Sequence, residues 1–537
     1  GTALAALALR VLGGDLGGGY FAGVQPALQW SAPAAALYGA LGVAAALAGG
    51  WWPARQAERL PPAQTLKGLG ATGGAVRGGT VGLALMAAGG ALAMAPPVFG
   101  IPLAAYVAVG LLLVGGIALL PWAVQWLLRW LQPLAAQRQQ RQQALLALER
   151  ARRMRGTAAV AVGGVVASLS LAVALTVMVA SFRDSVTSWL DVLLPADLYV
   201  RTAAPSGAAG TGDTVYLTPA FVDAVSRVPG VARVSTQRAT QLLLDPAKPA
   251  ITLIAREIGD PATGLPLVGK PLPVPPGQVG VYVSEAMVDL YNARPGTVFR
   301  PLESAFPRRP GAQGTPRFFV AGVWRDYARQ FGAVTMERRD FERLTGETAV
   351  NDLAIWLAAG ASGPEVEQQV RRTADRFKGA GSLIEFASAG QIRAISLRIF
   401  DRSFAVTYWL QAVAIAIGLF GVAASFSAQV LARRKEFGLL AHLGLTRRQI
   451  LAVVAGEGAA WTLIGSIAGL ALGLAVSVVL VHVVNPQSFH WTMDLALPWT
   501  RLLLLCTAVV AAGTVTAWLA GRAAAGKDAV LAVKEDW

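Results

Sequence analysis

Residues 432–450 read ARRKEFGLLAHLGLTRRQI and lie between two apolar runs, residues 404–431 and 450–482. Each run is long enough to cross a membrane, because a spanning helix needs about 20 mostly apolar residues. Basic residues stand at both ends of the stretch, which is typical of the cytoplasmic side of a membrane protein. The stretch is therefore predicted to be a cytoplasmic loop between two spans.

Within this loop, apolar side chains recur on one side of about two helical turns. They are Phe437, Leu439, Leu440 and Leu443. Gly444 suits the left-handed end of a helix, and Thr446 with Gln449 matches a capping box that begins the next span. Two interpretations fit this amphipathic segment. It is either an interfacial helix that lies on the bilayer or a helix presented to a cytoplasmic partner.

The whole chain has the composition of an integral membrane protein. Of its 537 residues, 54% are hydrophobic and only 14% are charged. Seven windows are long and apolar enough to span a membrane: residues 33–52, 78–97, 101–131, 157–181, 404–431, 450–482 and 500–520. Residues 1–13 resemble half of an eighth span, and the chain opens on Gly1 without a signal-peptide layout, so we expect protein upstream. The sequence thus predicts a polytopic α-helical membrane protein with about eight spans, the first partial.

The basic residues also predict the orientation. Lys and Arg are concentrated in residues 53–77, 138–155 and 432–450, whereas the intervening loops at 14–32, 98–100 and 483–499 contain none. Because basic loops stay in the cytoplasm, the C-terminus is predicted to be cytoplasmic. The net charge of +15 lies mostly beside the spans, which indicates topology and contact with anionic membrane lipids rather than nucleic acid.

Residues 182–403 break the hydrophobic pattern and are predicted to form a large extracytoplasmic α+β domain in two lobes. TPAFVDAVSRVPGV predicts a helix capped by Thr218, and VGVYVS predicts a strand after which Ser284 caps a helix. RFFVAGVW and SLIEF predict further strands, and GPEVEQQVRRTADRF predicts an amphipathic helix. The apolar window after this domain is long enough either to project as a stalk or to cross the membrane tilted.

The motif RRKEFGLLAHLGLTRRQI, followed by an apolar helix with an early Glu and a glycine run, resembles the FtsX-like permease domain of ABC transporters, the group with the MacB and LolC/LolE permeases. The resemblance is close over residues 404–537 and looser in the outer domain. It implies that the short cytoplasmic helix couples to an ATPase through Glu436, Phe437, Leu439, Leu440 and Leu443. The coupling segment as a whole comprises these residues with Arg433, Arg434, Lys435, His442, Arg447 and Arg448.

A repeat extends the resemblance. PARQAERLPPAQTLKG and AGRAAAGKDAVLAVKE each follow an apolar run, and Arg55 to Lys67 has the same spacing as Arg522 to Lys534. The chain resembles a ten-span FtsX-like permease without the start of its first module. The implied layout is the tail of a first module (1–76), two extra spans with a cytoplasmic linker (77–156), a stalk or span (157–181), the outer domain (182–403) and a second module with the coupling helix (404–537).

Several chemical motifs are rejected. GLPLVGKP at residues 264–271 resembles a phosphate loop, but Pro271 replaces the Ser or Thr that would hold magnesium. His442, His482 and His490 lack metal-ligand spacing, and no nucleophile elbow occurs. The single Cys506 cannot form a disulfide within the chain. We therefore expect no catalytic, cofactor or metal site in this chain.

Two features lie inside the predicted span at residues 450–482. Glu457 is an intramembrane ionisable residue, which suggests function, although snorkelling or pairing with a nearby Arg also explains it. Gly465, Gly469 and Gly473 recur every four residues on one face, which permits close helix packing and secondarily a sliding interface.

The resemblance implies a non-enzymatic permease subunit in a bacterial inner membrane. Two cytoplasmic ABC ATPase subunits would bind ATP and magnesium, and the permease would transmit their motion to the outer domain. The expected cargo is a hydrophobic, lipid-like or lipoprotein substrate that is exported or extracted. The alternative is an ATP-driven regulator that activates a periplasmic or cell-wall hydrolase or a sensor.

Overall fold

The computed structural model describes residues 6, 30–58, 78–98, 101–136, 155–202, 216–306, 315–377, 384–432 and 444–524. In chain order its helices are α1 (Ala32–Glu58), α2 (Gly78–Ala93), α3 (Leu103–Ala136), α4 (Arg155–Leu193), α5 (Pro219–Ser226), α6 (Pro261–Gly264), α7 (Glu285–Tyr291), α8 (Arg338–Thr345), α9 (Gly363–Ala374), α10 (Ala389–Ala432), α11 (Arg447–Val479), α12 (Asn485–Phe489) and α13 (Trp499–Ala524). The strands are β1 (Leu198–Thr202), β2 (Val231–Leu242), β3 (Ile251–Arg256), β4 (Val279–Ser284), β5 (Phe318–Trp324), β6 (Ala333–Glu337), β7 (Asp352–Leu357) and β8 (Ile384–Ser388).

All seven predicted windows lie on helices. Within the described ranges, six helices are long and apolar enough to cross a membrane, namely α1, α3, α4, α10, α11 and α13. The seventh, α2, has only 16 residues, because Pro96 and Pro97 follow it and cannot continue a helix. The predicted partial span at residues 1–13 lies outside the described residues, apart from residue 6. The chain is a polytopic helical membrane protein.

The membrane helices pack around α4. Val165, Leu169 and Val173 of α4 are buried against α11, whose Trp461 and Ile464 belong to the same hydrophobic cluster. α2 and α3 form an antiparallel hairpin beside this core. None of the described apolar side chains of α1 is buried and most are exposed, so α1 lies apart from the packed bundle.

Two of the membrane helices continue well into the outer domain. α4 has 39 residues and α10 has 44, which gives lengths of about 58 and 66 Å, whereas the hydrocarbon core is about 30 Å thick. α10 begins at Ala389, directly after β8, far before the apolar window that opens at residue 404. α10 therefore continues the apolar window into the outer domain, and we call the outer parts of α4 and α10 the stalk. The projecting and the tilted placement of that window in a membrane both stay predictions.

The extracytoplasmic domain contains one sheet of eight strands in the order β5-β4-β6-β3-β2-β7-β1-β8. The two expected lobes share this one sheet, because the 12-residue β2 pairs antiparallel with β3 on one side and β7 on the other and joins the two halves. Two hydrophobic cores lie on one face of this sheet, one under α5 and α9 and the other under α7 and α8. The opposite face is turned toward the stalk.

The predicted strands and helices of this domain agree with the structure, with one difference of detail. Thr218 caps α5 by accepting a hydrogen bond from the Phe221 N–H. Ser284 stands at the start of α7 but does not cap it, because its Oγ accepts a hydrogen bond from the Ala333 N–H instead, at 2.9 Å. This bond ties the end of β4 to the start of β6.

The segment GLPLVGKP does not have phosphate-loop geometry. Residues 265–278 contain no helix, and Gly269 has a φ of +93° within an extended connection. The loop-to-helix transition that would cradle a phosphate is therefore missing from this described segment.

Candidate functional site

The predicted coupling segment is only partly within the described residues. Arg433, Arg434, Lys435, Glu436, Phe437, Leu439, Leu440, His442 and Leu443 lie outside them. Arg447 and Arg448 are exposed at the first turn of α11, and the Arg447 side chain donates a hydrogen bond to the Arg522 carbonyl at 3.3 Å. The coupling role of all eleven residues stays a prediction.

The helix boundary after the coupling segment has the predicted geometry. Gly444 has a φ of +92°, and Thr446 caps α11. The Thr446 Oγ1 accepts from the Gln449 N–H, and the Thr446 N–H donates to the Gln449 side chain at 2.8 Å, which completes the capping box. The chain therefore restarts sharply as a helix at the first residue of this span.

The residues singled out within α11 face the interior of the bundle. A methyl group on Gly465, Gly469 or Gly473 would lie 3.0, 3.2 or 2.6 Å from the nearest side-chain atom of α4. The glycine face is thus packed closely against α4. Glu457 is buried in the bundle, so its carboxylate does not reach the surface as snorkelling requires.

The structure reveals a second site, where the outer domain meets the membrane helices. We call it the joint and define it by residues 181–189 of α4, residues 285–289 and 325–327 of the outer domain, and the outer loop at residues 490–496. The loop backbone is hydrogen-bonded to α4 through two buried serines. Ser181 Oγ accepts from the Ala496 N–H at 3.0 Å, and Ser185 Oγ accepts from the Asp494 N–H at 3.1 Å.

The outer domain holds the same loop from the other side. Arg325 donates two hydrogen bonds to the Asp494 carboxylate, at 2.6 and 3.0 Å. The Glu285 carboxylate accepts from the Thr492 N–H at 2.9 Å and from the Thr492 hydroxyl at 2.6 Å. Tyr327 adds a hydrogen bond from its hydroxyl to the Thr492 carbonyl at 2.9 Å. The loop is therefore fixed between the membrane bundle and the outer domain.

Aromatic side chains fill the centre of the joint. The Tyr327 ring meets Trp491 edge-on at 4.9 Å between centroids and Trp189 at 5.7 Å. Phe182 packs against Tyr327 and Trp491 and also against Phe400 of α10. Such edge-to-face pairs each stabilise the fold by about 0.5–1.5 kcal/mol beyond the free energy gained by burying their surface. The cluster joins α4, α10, the outer loop and the outer domain in one packed unit.

Two ion pairs connect the helices of the stalk outside this cluster. Arg183 pairs with Asp401 at 2.5 Å, and Arg393 pairs with Asp191 at 2.7 Å. All four side chains are substantially exposed, so each pair contributes little stability, typically about 0–1 kcal/mol. They link α4 to α10 at two positions where the helices leave the bundle.

The carboxylates of the joint have opposite pKa shifts. Burial raises the pKa of Glu285 above its usual value, although the hydrogen bonds from Thr492 partly offset this effect. The hydrogen bonds from Arg325 lower the pKa of Asp494. Burial also raises the pKa of Tyr327 to about 12, so its hydroxyl remains a donor at neutral pH.

Sequence reasoning missed the joint because its partners lie far apart in the chain. The bonded pairs Ser181–Ala496 and Arg325–Asp494 are separated by 315 and 169 residues. A weak signal was present in the sequence. The predicted loop at residues 483–499, which includes the outer loop, carries the lone acidic residue Asp494 and the polar Thr492 between apolar residues. The sequence offered no indication of their partners.

One family model and one curated protein are similar to this chain. Residues 410–529 match the family model described as FtsX-like permease C-terminal. A Mycobacterium tuberculosis protein described as an uncharacterized ABC transporter permease is 27% identical over 390 residues, which are 68% of this chain and 42% of that protein. The chain thus spans less than half the length of this curated relative.

Two solved structures each match part of this chain. The periplasmic region of MacB from Actinobacillus actinomycetemcomitans is 11% identical and aligns with 38% of this chain and 94% of its own, with a TM-score of 0.28. The extracellular domain of the noncanonic ABC-type transporter YknZ from Gram-positive bacteria is also 11% identical and aligns with 36% of this chain and 99% of its own, with a TM-score of 0.24.

Proposed function

We propose that this chain, an FtsX-like permease of the ABC transporter type, is the subunit through which a separate cytoplasmic ATPase moves the extracytoplasmic domain. One observation supports this mechanism above all. The unbroken helix α10 extends from Ala432, next to the coupling segment, to Ala389, next to the edge strand β8. Because a continuous helix resists compression and bending, a displacement at residues 433–443 would be passed directly to the sheet.

The joint supports the same mechanism at the outer end. A push on α10 alone would shear the stalk, but the aromatic cluster and the ion pairs fasten α10 to α4 and to the outer loop. The outer loop connects α11 to α13, and the glycine face of α11 is packed on α4. Movement of the coupling segment would therefore move α10, α4 and the outer domain together.

The partners follow from this role. Two ATPase subunits would bind ATP with magnesium, and the permease itself would hydrolyse nothing. We place the chain in a bacterial inner membrane with its C-terminus in the cytoplasm, as the distribution of Lys and Arg favours. The proposed cargo is a hydrophobic, lipid-like or lipoprotein substrate that is extracted or exported on the outer side.

The coupling role is tested with the full chain and candidate ATPases in lipid nanodiscs. The variant Leu440→Glu, Leu443→Glu should lose both ATPase association and stimulation of ATP hydrolysis, because two charges cannot enter an apolar groove. The matched control is Leu440→Met, Leu443→Met, which keeps the apolar face and should retain both properties. Unchanged association and hydrolysis in the Glu variant would assign residues 432–450 to the bilayer surface instead.

The same preparation separates transport from the regulatory alternative. A transporter should move or extract a fluorescent lipid or lipopeptide in an ATP-dependent manner. A regulator should instead retain a soluble hydrolase on its outer domain and show no ATP-dependent movement of lipid. The second result would refute the proposed cargo while leaving the coupling mechanism intact.

A further inference from the structure

The stalk-facing side of the outer sheet contains a cleft of about 440 Å³ between the sheet and the two stalk helices. This volume lies within the range of about 300–1,000 Å³ that is typical of small-molecule sites. The opposite side of the sheet packs against α5, α7, α8 and α9, whereas this side faces the stalk helices across the cleft. The cleft is therefore a place where the domain leaves space for a ligand between the sheet and the stalk.

The cleft has an apolar side and a polar side. Leu193 and Leu194 at the end of α4 and Ile392 at the start of α10 line it from the stalk. Trp324 and Leu265 belong to the hydrophobic cluster on this face of the sheet and also line the cleft. Apolar surfaces thus stand on both sides of the space.

A row of polar residues crosses the floor of the cleft. The strand registers place Glu385, Arg201, Asp352, Gln237, Arg256 and Glu337 side by side across six strands. Arg201 is neutralised by Asp352, with 2.6 Å between their side-chain atoms. The row therefore presents its other guanidinium, that of Arg256, as the available cation.

Arg256 is half-buried and lines the cleft. Its neighbour Glu337 accepts a hydrogen bond from the Ile258 N–H at 3.1 Å, and its carboxylate attracts the Arg256 guanidinium without forming a direct ion pair with it. Among the described residues, Arg256 forms no ion pair and its side chain forms no hydrogen bond. Because guanidinium groups that leave water are normally paired with an anion, this arrangement calls for an anionic ligand.

Two further polar atoms belong to residues that line the cleft. Trp324 Nε1 and Thr335 Oγ1 are buried and have no hydrogen-bond partner within the described part of the chain. Buried polar groups are nearly always satisfied, so unsatisfied ones often indicate a missing partner such as a ligand or water. They strengthen the case that the cleft is occupied when the protein functions.

We propose that this cleft binds an amphiphilic anion, a molecule with one phosphate or carboxylate group that Arg256 contacts and an apolar portion that lies between the sheet and the stalk. The site lies wholly in the outer domain and the stalk, so the proposal does not depend on coupling to an ATPase. An occupant would contact the sheet and both stalk helices at once, and its binding would respond to the angle between them.

The test uses the full chain in nanodiscs and calorimetric titration with octyl phosphate, with empty nanodiscs as the baseline. Saturable binding at one site per chain is expected. Arg256→Gln should weaken it about tenfold or more, because a charge-assisted hydrogen bond is lost. The control Arg300→Gln removes the same charge from an exposed arginine of the same domain and should leave binding unchanged.

A second variant keeps Arg256 and removes the space. Ala354 lines the cleft on β7 beside Tyr199, so Ala354→Trp should fill the cleft and weaken binding at least tenfold. If Arg256→Gln fails to fold, as judged by thermal unfolding, this variant decides the matter. If both variants bound octyl phosphate with the wild-type affinity, the assignment of the binding site to this cleft would be refuted.

Two further probes test the chemical class. Inorganic phosphate should bind at least tenfold more weakly than octyl phosphate, and octyltrimethylammonium should not bind. Equal affinity for inorganic phosphate would refute the apolar half of the proposal, and equal affinity for the cation would refute the anionic half. Absence of saturable octyl phosphate binding would refute both.

Discussion

Replacing Ser181 with alanine should loosen the joint without disturbing the bundle. Ser181 is fully buried, and its Oγ accepts from the Ala496 N–H at 3.0 Å and donates to the Ala496 carbonyl at 3.3 Å. The variant removes both bonds and leaves polar backbone groups of the outer loop without a partner. An orphaned buried group costs about 1–3 kcal/mol.

The loss of these two hydrogen bonds should be measurable as faster amide hydrogen exchange in the outer loop. Since each 1.4 kcal/mol is a factor of ten, amides in residues 491–497 should exchange about 5–150 times faster in Ser181→Ala than in the wild type. Exchange measured by mass spectrometry on the full chain in nanodiscs would report this. Amides in the middle of α11 should keep their protection, because their own hydrogen bonds are untouched.

Ser170 offers a matched control on the same helix. It is also fully buried, but its Oγ donates only to the Ala167 carbonyl within α4, at 3.1 Å. Ser170→Ala removes the same atom from the same helix without touching the loop, so residues 491–497 should exchange as in the wild type. If Ser170→Ala and Ser181→Ala accelerated loop exchange equally, the hydrogen bonds to Ala496 would not hold the joint.

Three other predictions concern the joint and the bundle. The Asp494 side chain is 73% exposed, so its ion pair with Arg325 should contribute little to stability. A double-mutant cycle of thermal stability should give a coupling energy of about 1 kcal/mol or less. A coupling energy above about 3 kcal/mol would contradict this expectation. Burial raises the pKa of Glu285, so the folded protein holds the Glu285 proton more tightly than the unfolded chain does. The stability that this proton contributes is therefore complete below the ordinary pKa of 4.5 and is lost as the pH rises through the raised pKa. Unfolding curves across this window should show that loss in the wild type and not in Glu285→Gln. Finally, a methyl group on Gly473 would lie 2.6 Å from Val173 Cβ, whereas one on Gly164 would meet open space. The free energy of unfolding of Gly473→Ala should therefore be about 1–3 kcal/mol lower than that of Gly164→Ala. Equal free energies of unfolding would refute close packing at Gly473.

Local chemistry explains the elements that sequence reasoning predicted correctly. Spans are recognisable because a lipid environment requires long uninterrupted apolar helices, and six of the seven windows lie on helices of that length, whereas the seventh lies on the shorter α2. The capping box at Thr446 and the strand VGVYVS depend on neighbours within a few residues, so they too were visible in the sequence. The amphipathic coupling segment belongs to the same class of local pattern, and its role awaits the nanodisc experiment.

Only the tertiary structure decided the features that depend on distant contacts. The continuity of the sheet rests on β2 pairing with both β3 and β7, and no local pattern reports such pairing. The position of Ser284 predicted a helix cap. Its hydroxyl instead accepts a hydrogen bond from the Ala333 N–H, which is distant in sequence. The joint and the cleft likewise bring together segments separated by well over one hundred residues. The sequence by itself thus determined which segments cross the membrane and which fold outside it, because hydrophobicity and capping act locally, and the tertiary structure decided where the outer domain is fastened and where it leaves room for a ligand.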